Sequence, residues 1–247
     1  MVFKTVVSPE KTHMHLDVLA FGTHPDDVEL FCGGTVIKLV RQGYRVGVID
    51  LTRGEMSTRG TPQLRRQETA QATVIMNLAI RENAGLPDGN IANTPENRLK
   101  IIGFLRQYQP KTVLIPYSYD RHPDHVHAGV LLSEAIFYSG LAKINDGHEP
   151  YRPQQVISYY HHWVDNVTVV VDISAEFEDK KKAITAYRSQ FHDPDSREAE
   201  TYISSKAFME SIENRARYFG DQIGTLYGEP FFLKTPIKIN NLLGLCT

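Results

Sequence analysis

Two short stretches hold most of the residues in this chain that could do chemistry. Gly22-Thr23-His24-Pro25-Asp26-Asp27-Val28-Glu29 carries a histidine beside three carboxylates, and its core recurs as His122-Pro123-Asp124-His125. Histidine and aspartate are ligands that suit zinc, and equally ferrous iron in a two-histidine, one-carboxylate arrangement. Residues at i and i+3 share a face where a segment turns into a helix, which pairs His24 with Asp27 and His122 with His125. Four protein ligands make a closed structural site, whereas a catalytic site takes three and keeps a position for water. One pair is therefore expected to split, one member binding metal and the other working on substrate; spacing does not choose which. Each stretch alone would also suit a capped helix start, with Asp bonding backbone N–H groups. Together they place His24, Asp26, Asp27, His122, Asp124 and His125 at two strand ends, and a divalent cation is the simplest compensation for so much confined charge.

For the two stretches to meet, strands must aim them at one edge. Leu16–Gly22 is a nearly continuous apolar run, the pattern of a strand buried on both faces. A helix ending at Gly43 follows, then a strand over Arg45–Leu51, which together read as a βαβ unit with a parallel pair and right-handed crossover. Further helices are expected at Leu64–Leu78, Pro95–Tyr108 (capped by Thr94, with Pro in its first turn), Asp124–Leu141, Ala175–Gln190 and about Lys206–Leu226. Further strands are expected at Thr112–Pro116, Val156–Tyr160 and Val167–Asp172. Residues 1–14 read as a polar arm, and Pro230–Leu233 with Ile237–Ile239 as a tail suited to a neighbouring subunit. The alternation predicts a single α/β domain over residues 1–247, Rossmann-like, with a mostly parallel sheet flanked by helices on both faces. In such a sheet the carboxyl ends of the strands share one edge, where both motifs fall.

Composition sets outer bounds. The 247 residues carry a formal net charge of −2, with 23% charged residues, and no basic patch points to nucleic acid or a membrane surface. Lys180-Lys181-Lys182 reads as a solvated helix face. Two cysteines, Cys32 and Cys246, make no disulfide framework; Cys32 reads as a small buried residue under Gly33-Gly34. No apolar targeting segment or run of about 20 apolar residues occurs, so a cytoplasmic protein is expected.

The motifs are specific enough to resemble a family. Ala20-Phe21-Gly22-Thr23-His24-Pro25-Asp26-Asp27-Val28-Glu29, then Gly33-Gly34-Thr35, then Arg121-His122-Pro123-Asp124-His125, is similar to the LmbE-like/PIG-L family of metal-dependent N-acetylglucosaminyl deacetylases. Thr52-Arg53-Gly54-Glu55, Leu64-Arg65-Arg66-Gln67-Glu68, Gly85-Leu86-Pro87-Asp88, Arg188-Ser189-Gln190-Phe191 and Ala216-Arg217-Tyr218-Phe219-Gly220 also fit, so the resemblance spans most of the chain. Within the family the chain most resembles the branch acting on N-acetylglucosaminyl malate in bacillithiol biosynthesis. The resemblance implies one divalent metal per chain, zinc or ferrous iron, held by His24, Asp27 and His125. It implies Asp26 as general base toward a water that the cation acidifies. It further implies His122 as the group that stabilises the oxyanion or protonates the leaving amine, with Asp124 orienting its imidazole. Arg65 matches a position contacting the sugar. Relatives often form homo-oligomers.

Other residues are read from their setting. Glu55 and Asp88 lie in loops expected to border the crevice and could accept sugar hydroxyls. Arg53 and Arg59 suit an anionic group such as malate carboxylates, since guanidinium binds carboxylate bidentately. Arg121 could pair with a substrate or with a motif carboxylate. His192 reads as a loop histidine. Phe208 stands near a place where some family members have a tyrosine, and Tyr202 is close to it. Among other classes, a nucleotide-binding domain would want a Gly-x-Gly-x-x-Gly turn that Gly22-Thr23-His24-Pro25 does not supply. A two-metal phosphohydrolase would draw on more carboxylates, and a non-catalytic sugar-binding protein would have no use for Asp26 and His122.

Overall fold

The computed structural model describes residues 14–238. Seven strands form one sheet: β1 (Val18–Gly22), β2 (Val46–Asp50), β3 (Ile80–Asn83), β4 (Thr112–Pro116), β5 (Gln155–Tyr159), β6 (Val169–Asp172) and β7 (Gly228–Phe232). Their order is β3-β2-β1-β4-β5-β7-β6. The first five run parallel, while β7 pairs antiparallel with both β5 and β6. Six helices connect them: α1 (Asp27–Arg41), α2 (Pro62–Met76), α3 (Pro95–Tyr108), α4 (Pro123–Ser139), α5 (Phe177–Thr185) and α6 (Lys206–Gln222). This is the α/β architecture expected from the alternating pattern.

Strand alternation divides the core between the two faces. Val18 and Ala20 of β1, with Leu114 of β4, pack beneath α1, α2, α5 and α6. Leu19, Phe21, Val113 and Ile115 face α3 and α4. Two of the three helices with Pro in the first turn carry threonine N-caps: Thr61 and Thr94 each accept an N–H from three residues ahead.

Four departures from the sequence pattern have identifiable causes. Helix α1 begins at Asp27 rather than near Gly34 and is interrupted at Cys32 (φ −142°, ψ 15°). The break is capped from outside, because the Glu229 carboxylate accepts the N–H groups of Gly34 and Thr35 at 2.9 and 2.7 Å. The segment around Pro230 is not a tail: it is strand β7, its Phe231 is buried in the core, and Pro230 pairs with Val170. The case for an interface built on Phe231 thereby fails, and Ile239 lies outside the described residues, as do residues 1–13 and Cys246. Nor is Lys180 solvated; its ammonium is buried against Glu229 at 2.6 Å. Its helix, α5, stops at Thr185, short of Gln190.

Candidate metal centre and active-site cleft

The carboxyl ends of β1, β4 and β5 open onto a cleft of about 290 Å³ lined by His24, Asp26, Asp27, Asp88, His122 and His125, among others. The tight turn after β1 sets the first group. Asp27 Oδ2 accepts the His24 N–H at 2.8 Å, and Asp26 between them is held at φ 126°, a conformation costing a non-glycine residue about 1–3 kcal/mol. Arg65 of α2 secures that turn by donating to the Pro25 carbonyl at 2.6 Å and to Asp26 Oδ2 at 3.0 Å, with its other Nη on Ser57 Oγ.

The second group comes from the entry to α4. His125 lies one turn in and is buried; His122 is the N-cap residue and stays partly open to solvent. His24, Asp27 and His125 offer ligand atoms within 4.8 Å of one another. His24 Nδ1 is 3.6 Å from Asp27 Oδ2, and His125 Nε2 is 3.6 Å from Asp27 Oδ1. Ligands bonded to one tetrahedral zinc at about 2.0–2.2 Å stand about 3.3–3.6 Å apart; the His125–Asp27 Oδ1 spacing matches a shared ion, while His24 approaches the other oxygen of the same carboxylate. The supporting contacts also match: Asp88 Oδ1 lies 3.1 Å from His24 Nε2, and Asp120 Oδ1 lies 2.9 Å from His125 Nδ1, the carboxylate–histidine pairing that orients ligating imidazoles.

Electrostatics agree with that assignment. Burial pushes His125 down to about 3, so it is a neutral imidazole with a free lone pair. Burial alone would raise Asp27, but the imidazoles of His125 and His161 hold it well below the usual carboxylate range. Burial would likewise lower His24; hydrogen bonds to Asp124, Asp27 and Asp88 override it and raise it well above its ordinary value. Asp26 is different: burial pushes its carboxyl up to about 7, against the pull of the Arg65 guanidinium.

Several expected roles are redistributed. Asp124 does not orient the His122 ring. Its carboxylate accepts the N–H groups of Gly89 and Ile91, with an oxygen 3.7 Å from His24 Nε2; His122 Nδ1 faces the Asp124 backbone N–H instead. Burial opposes ionisation of Asp124, but the His24, Gly89 and Ile91 hydrogen bonds hold it at about 2. Asp88, expected to take a sugar hydroxyl, is occupied by His24 and by the Met56 N–H. Glu55 accepts the Arg53 N–H outside the cleft lining, and Arg53 lines a neighbouring cavity with Arg66 and Arg81. Arg59 borders the cleft but is engaged by Glu198 and Ser196. Arg121 pairs with no carboxylate among the described residues; it lies over the Tyr202 ring and 3.3 Å from His162 Nε2. Phe208 and Tyr202 line the cleft, and His192 is not among its lining residues.

Two residues escaped the motif reading. Asp120 precedes the second motif, and His161 follows β5; both are buried beside the cluster. The strand-end rule that singled out the two motifs would have singled out His161-His162 as well, since they follow Tyr159 and Tyr160 directly.

Comparison with known proteins finds relatives along most of the chain. The family model described as PIG-L, GlcNAc-PI de-N-acetylase, matches residues 19–136. A diacetylchitobiose deacetylase from Thermococcus kodakarensis is 31% identical over 227 residues, covering 86% of this chain and 80% of that protein. Among solved structures, the conserved protein TT1542 from Thermus thermophilus superposes with a TM-score of 0.84 at 37% identity, over 92% of this chain and 98% of that one. The N,N'-diacetylchitobiose deacetylase from Pyrococcus horikoshii, solved with an inhibitor, superposes with a TM-score of 0.78 at 28% identity, over 87% and 82%. With its motifs gathered at one sheet edge and this likeness running along most of its length, the chain belongs to the PIG-L (LmbE-like) family of deacetylases.

Proposed function

We propose that the protein removes the acetyl group from the N-acetylglucosamine unit of a small conjugate, releasing acetate and a free amine. The convergence of His24, Asp27 and His125 beside the raised carboxyl of Asp26 carries this reading. Two imidazole nitrogens and one carboxylate suit zinc, and also ferrous iron. A divalent cation there would supply Lewis acidity, polarising the acetyl carbonyl and acidifying a water molecule.

The chain's own residues do the rest. Asp26 takes the proton of the attacking water; a base with a pKa near the working pH is the effective choice. Arg65 fixes that carboxylate, and the strained turn keeps it off the ligand set. His122, which also lines the cleft, would serve the developing oxyanion. Burial and the neighbouring His24 lower its pKa, which favours the neutral imidazole, a hydrogen-bond donor to the oxyanion; the proton that Asp26 takes from the water is then the one delivered to the amine. The cleft's size is at the lower end of the about 300–1,000 Å³ usual for ligand sites, which suits one sugar ring inside and the aglycone at the mouth.

Two aglycones have separate support. An anionic one, as in N-acetylglucosaminyl malate, is favoured by Arg121, a cation at the cleft without a carboxylate partner among the described residues. A second sugar is favoured by the 31% identical diacetylchitobiose deacetylase. Purified protein should be analysed for metal and then assayed for acetate release from N-acetylglucosaminyl malate, N,N'-diacetylchitobiose and free N-acetylglucosamine. One metal per chain, with faster turnover of a conjugate than of the free sugar, is expected. Absence of metal dependence, or no acetate from any of the three, would refute the reading.

A further inference from the structure

His161 has no task in the reaction outlined above, yet its surroundings call for one. It follows β5 at the same sheet edge, its side chain is fully buried, and neither ring nitrogen has a hydrogen-bond partner. A buried polar group left unpaired costs about 1–3 kcal/mol, and such orphans ask for an explanation. Its ring edge is aimed at the candidate metal centre, with Nε2 3.6 Å from Asp27 Oδ2. That same oxygen accepts the His24 N–H at 2.8 Å, whereas Oδ1 faces His125 Nε2.

Geometry decides against His161 as a ligand beside His125. The two rings are stacked, 3.6 Å between centroids and 18° between planes. Imidazole binds a metal in its ring plane at about 2.0–2.1 Å, and an ion in the plane of one ring falls well outside the plane of the other. Of the two, His125 has the carboxylate behind it, Asp120 at 2.9 Å. His161 has the Phe31 ring edge at 4.7 Å and no hydrogen bond at Nδ1.

We propose that His161 is a positioning residue for Asp27. With its proton on Nε2 it donates to Oδ2, so that two protein donors hold that oxygen and Oδ1 is the one presented to the cation. The orphaned nitrogen then gains its partner when the ion draws the carboxylate into place. His161 also covers one face of the His125 ring and shuts water out of that side of the centre. The inference rests on the metal-site reading above.

The test compares wild type, His161→Phe and His161→Gln. Affinity for Zn²⁺ is measured by competition with a chelating dye, the visible spectrum of the Co²⁺-loaded protein is recorded, and the melting temperature of the metal-free protein serves as a folding control. His161→Phe keeps the stack and loses the donor; it should melt like wild type without metal, bind Zn²⁺ about 10–100-fold more weakly, and show an altered Co²⁺ spectrum. His161→Gln, which can donate, should recover part of the affinity. A crystal structure of the zinc-loaded wild type should place His161 Nε2 within about 3.2 Å of Asp27 Oδ2, and it decides the matter alone if His161→Phe does not fold. Undiminished Zn²⁺ affinity and an unchanged Co²⁺ spectrum in His161→Phe would overturn the proposal. So would equal weakening in both variants with a lowered metal-free melting temperature, or zinc bonded to His161 itself. Wild type that binds no metal would instead remove the metal-site reading.

Discussion

Asp26 and Asp27 are adjacent and chemically identical, yet their surroundings drive them apart. Both are buried, but imidazoles keep Asp27 ionised, whereas burial, with the charge of Asp27 added, outweighs the pull of Arg65 and raises Asp26 to about 7. On the proposed reading, a proton acceptor and a ligand are made from one dipeptide by the backbone turn at Asp26. Asp26→Asn should lower kcat for acetate release about 10²–10⁴-fold while the metal content of the purified protein stays that of wild type; loss of metal with loss of activity would reassign Asp26 to the ligand set. The pairing of His24 with Asp27 was legible in the i, i+3 spacing. What Asp88 and Asp124 do was not, because their carboxylates meet partners from a different strand end, and no spacing rule encodes a contact between Asp88 and His24 or between Asp124 and Gly89. Arg65 illustrates the same limit: its position in α2 is readable, but that its guanidinium grips the Pro25 carbonyl depends on where α2 packs.

Elements show where local pattern was sufficient and where packing overruled it. The parallel strands and Pro-capped helices follow from apolar runs and turn chemistry, and they form where those signals lie. The break in α1 does not, because it depends on Glu229 arriving from the far end of the chain to satisfy Gly34 and Thr35. Gly34 also lies against Ile173, where an added Cβ would meet side-chain atoms at 2.7–2.9 Å. Gly34→Ala should therefore destabilise the fold: overpacking costs about 1–3 kcal/mol, against roughly 1 kcal/mol of helix propensity gained. A lower urea midpoint checks this; an unchanged one would mean Ile173 yields freely. On the other face, Arg106 of α3 is fully buried and staples the loop after α4, donating to Ser139, Leu141, Ile144 and Asp146. Burial opposes ionisation of Asp146, but the Arg106 hydrogen bond and the His148 N–H lower its pKa below the usual carboxylate value. Its folded pKa being depressed, Asp146 contributes stability that is complete above the unfolded value of about 3.9 and is lost as pH falls through the folded one. Asp146→Asn should cost about 3 kcal/mol at neutral pH by leaving the Arg106 charge unpaired, and the variant's stability should fall less steeply below pH 4 in denaturant titrations.

At the scale of the whole molecule, the sheet gathers three strand ends around one centre, and an ion held by His24, Asp27 and His125 would tie the segments after β1 and β4 together. Metal at a hundredfold excess over its Kd would add about 2.7 kcal/mol. Calorimetry should therefore show the melting temperature falling by about 5–10 °C on chelation and recovering with Zn²⁺; no shift would show that the ion is not held by the folded state. The sheet's order has a different consequence, for the timing of assembly. Strand β7 is the last element of the described chain, yet it sits between β5 and β6 and is, among the described residues, the sole strand partner of β6. While the chain is being made, β1 to β5 can pair in turn, but β6 has nothing to pair with until about sixty residues later, when β7 follows it out of the ribosome. Glu229 then delivers the cap for α1 and the partner for Lys180 in the same step. The nascent protein should accordingly form the edge carrying both motifs early and remain open to proteases along β6, until the closing strand clasps the sheet.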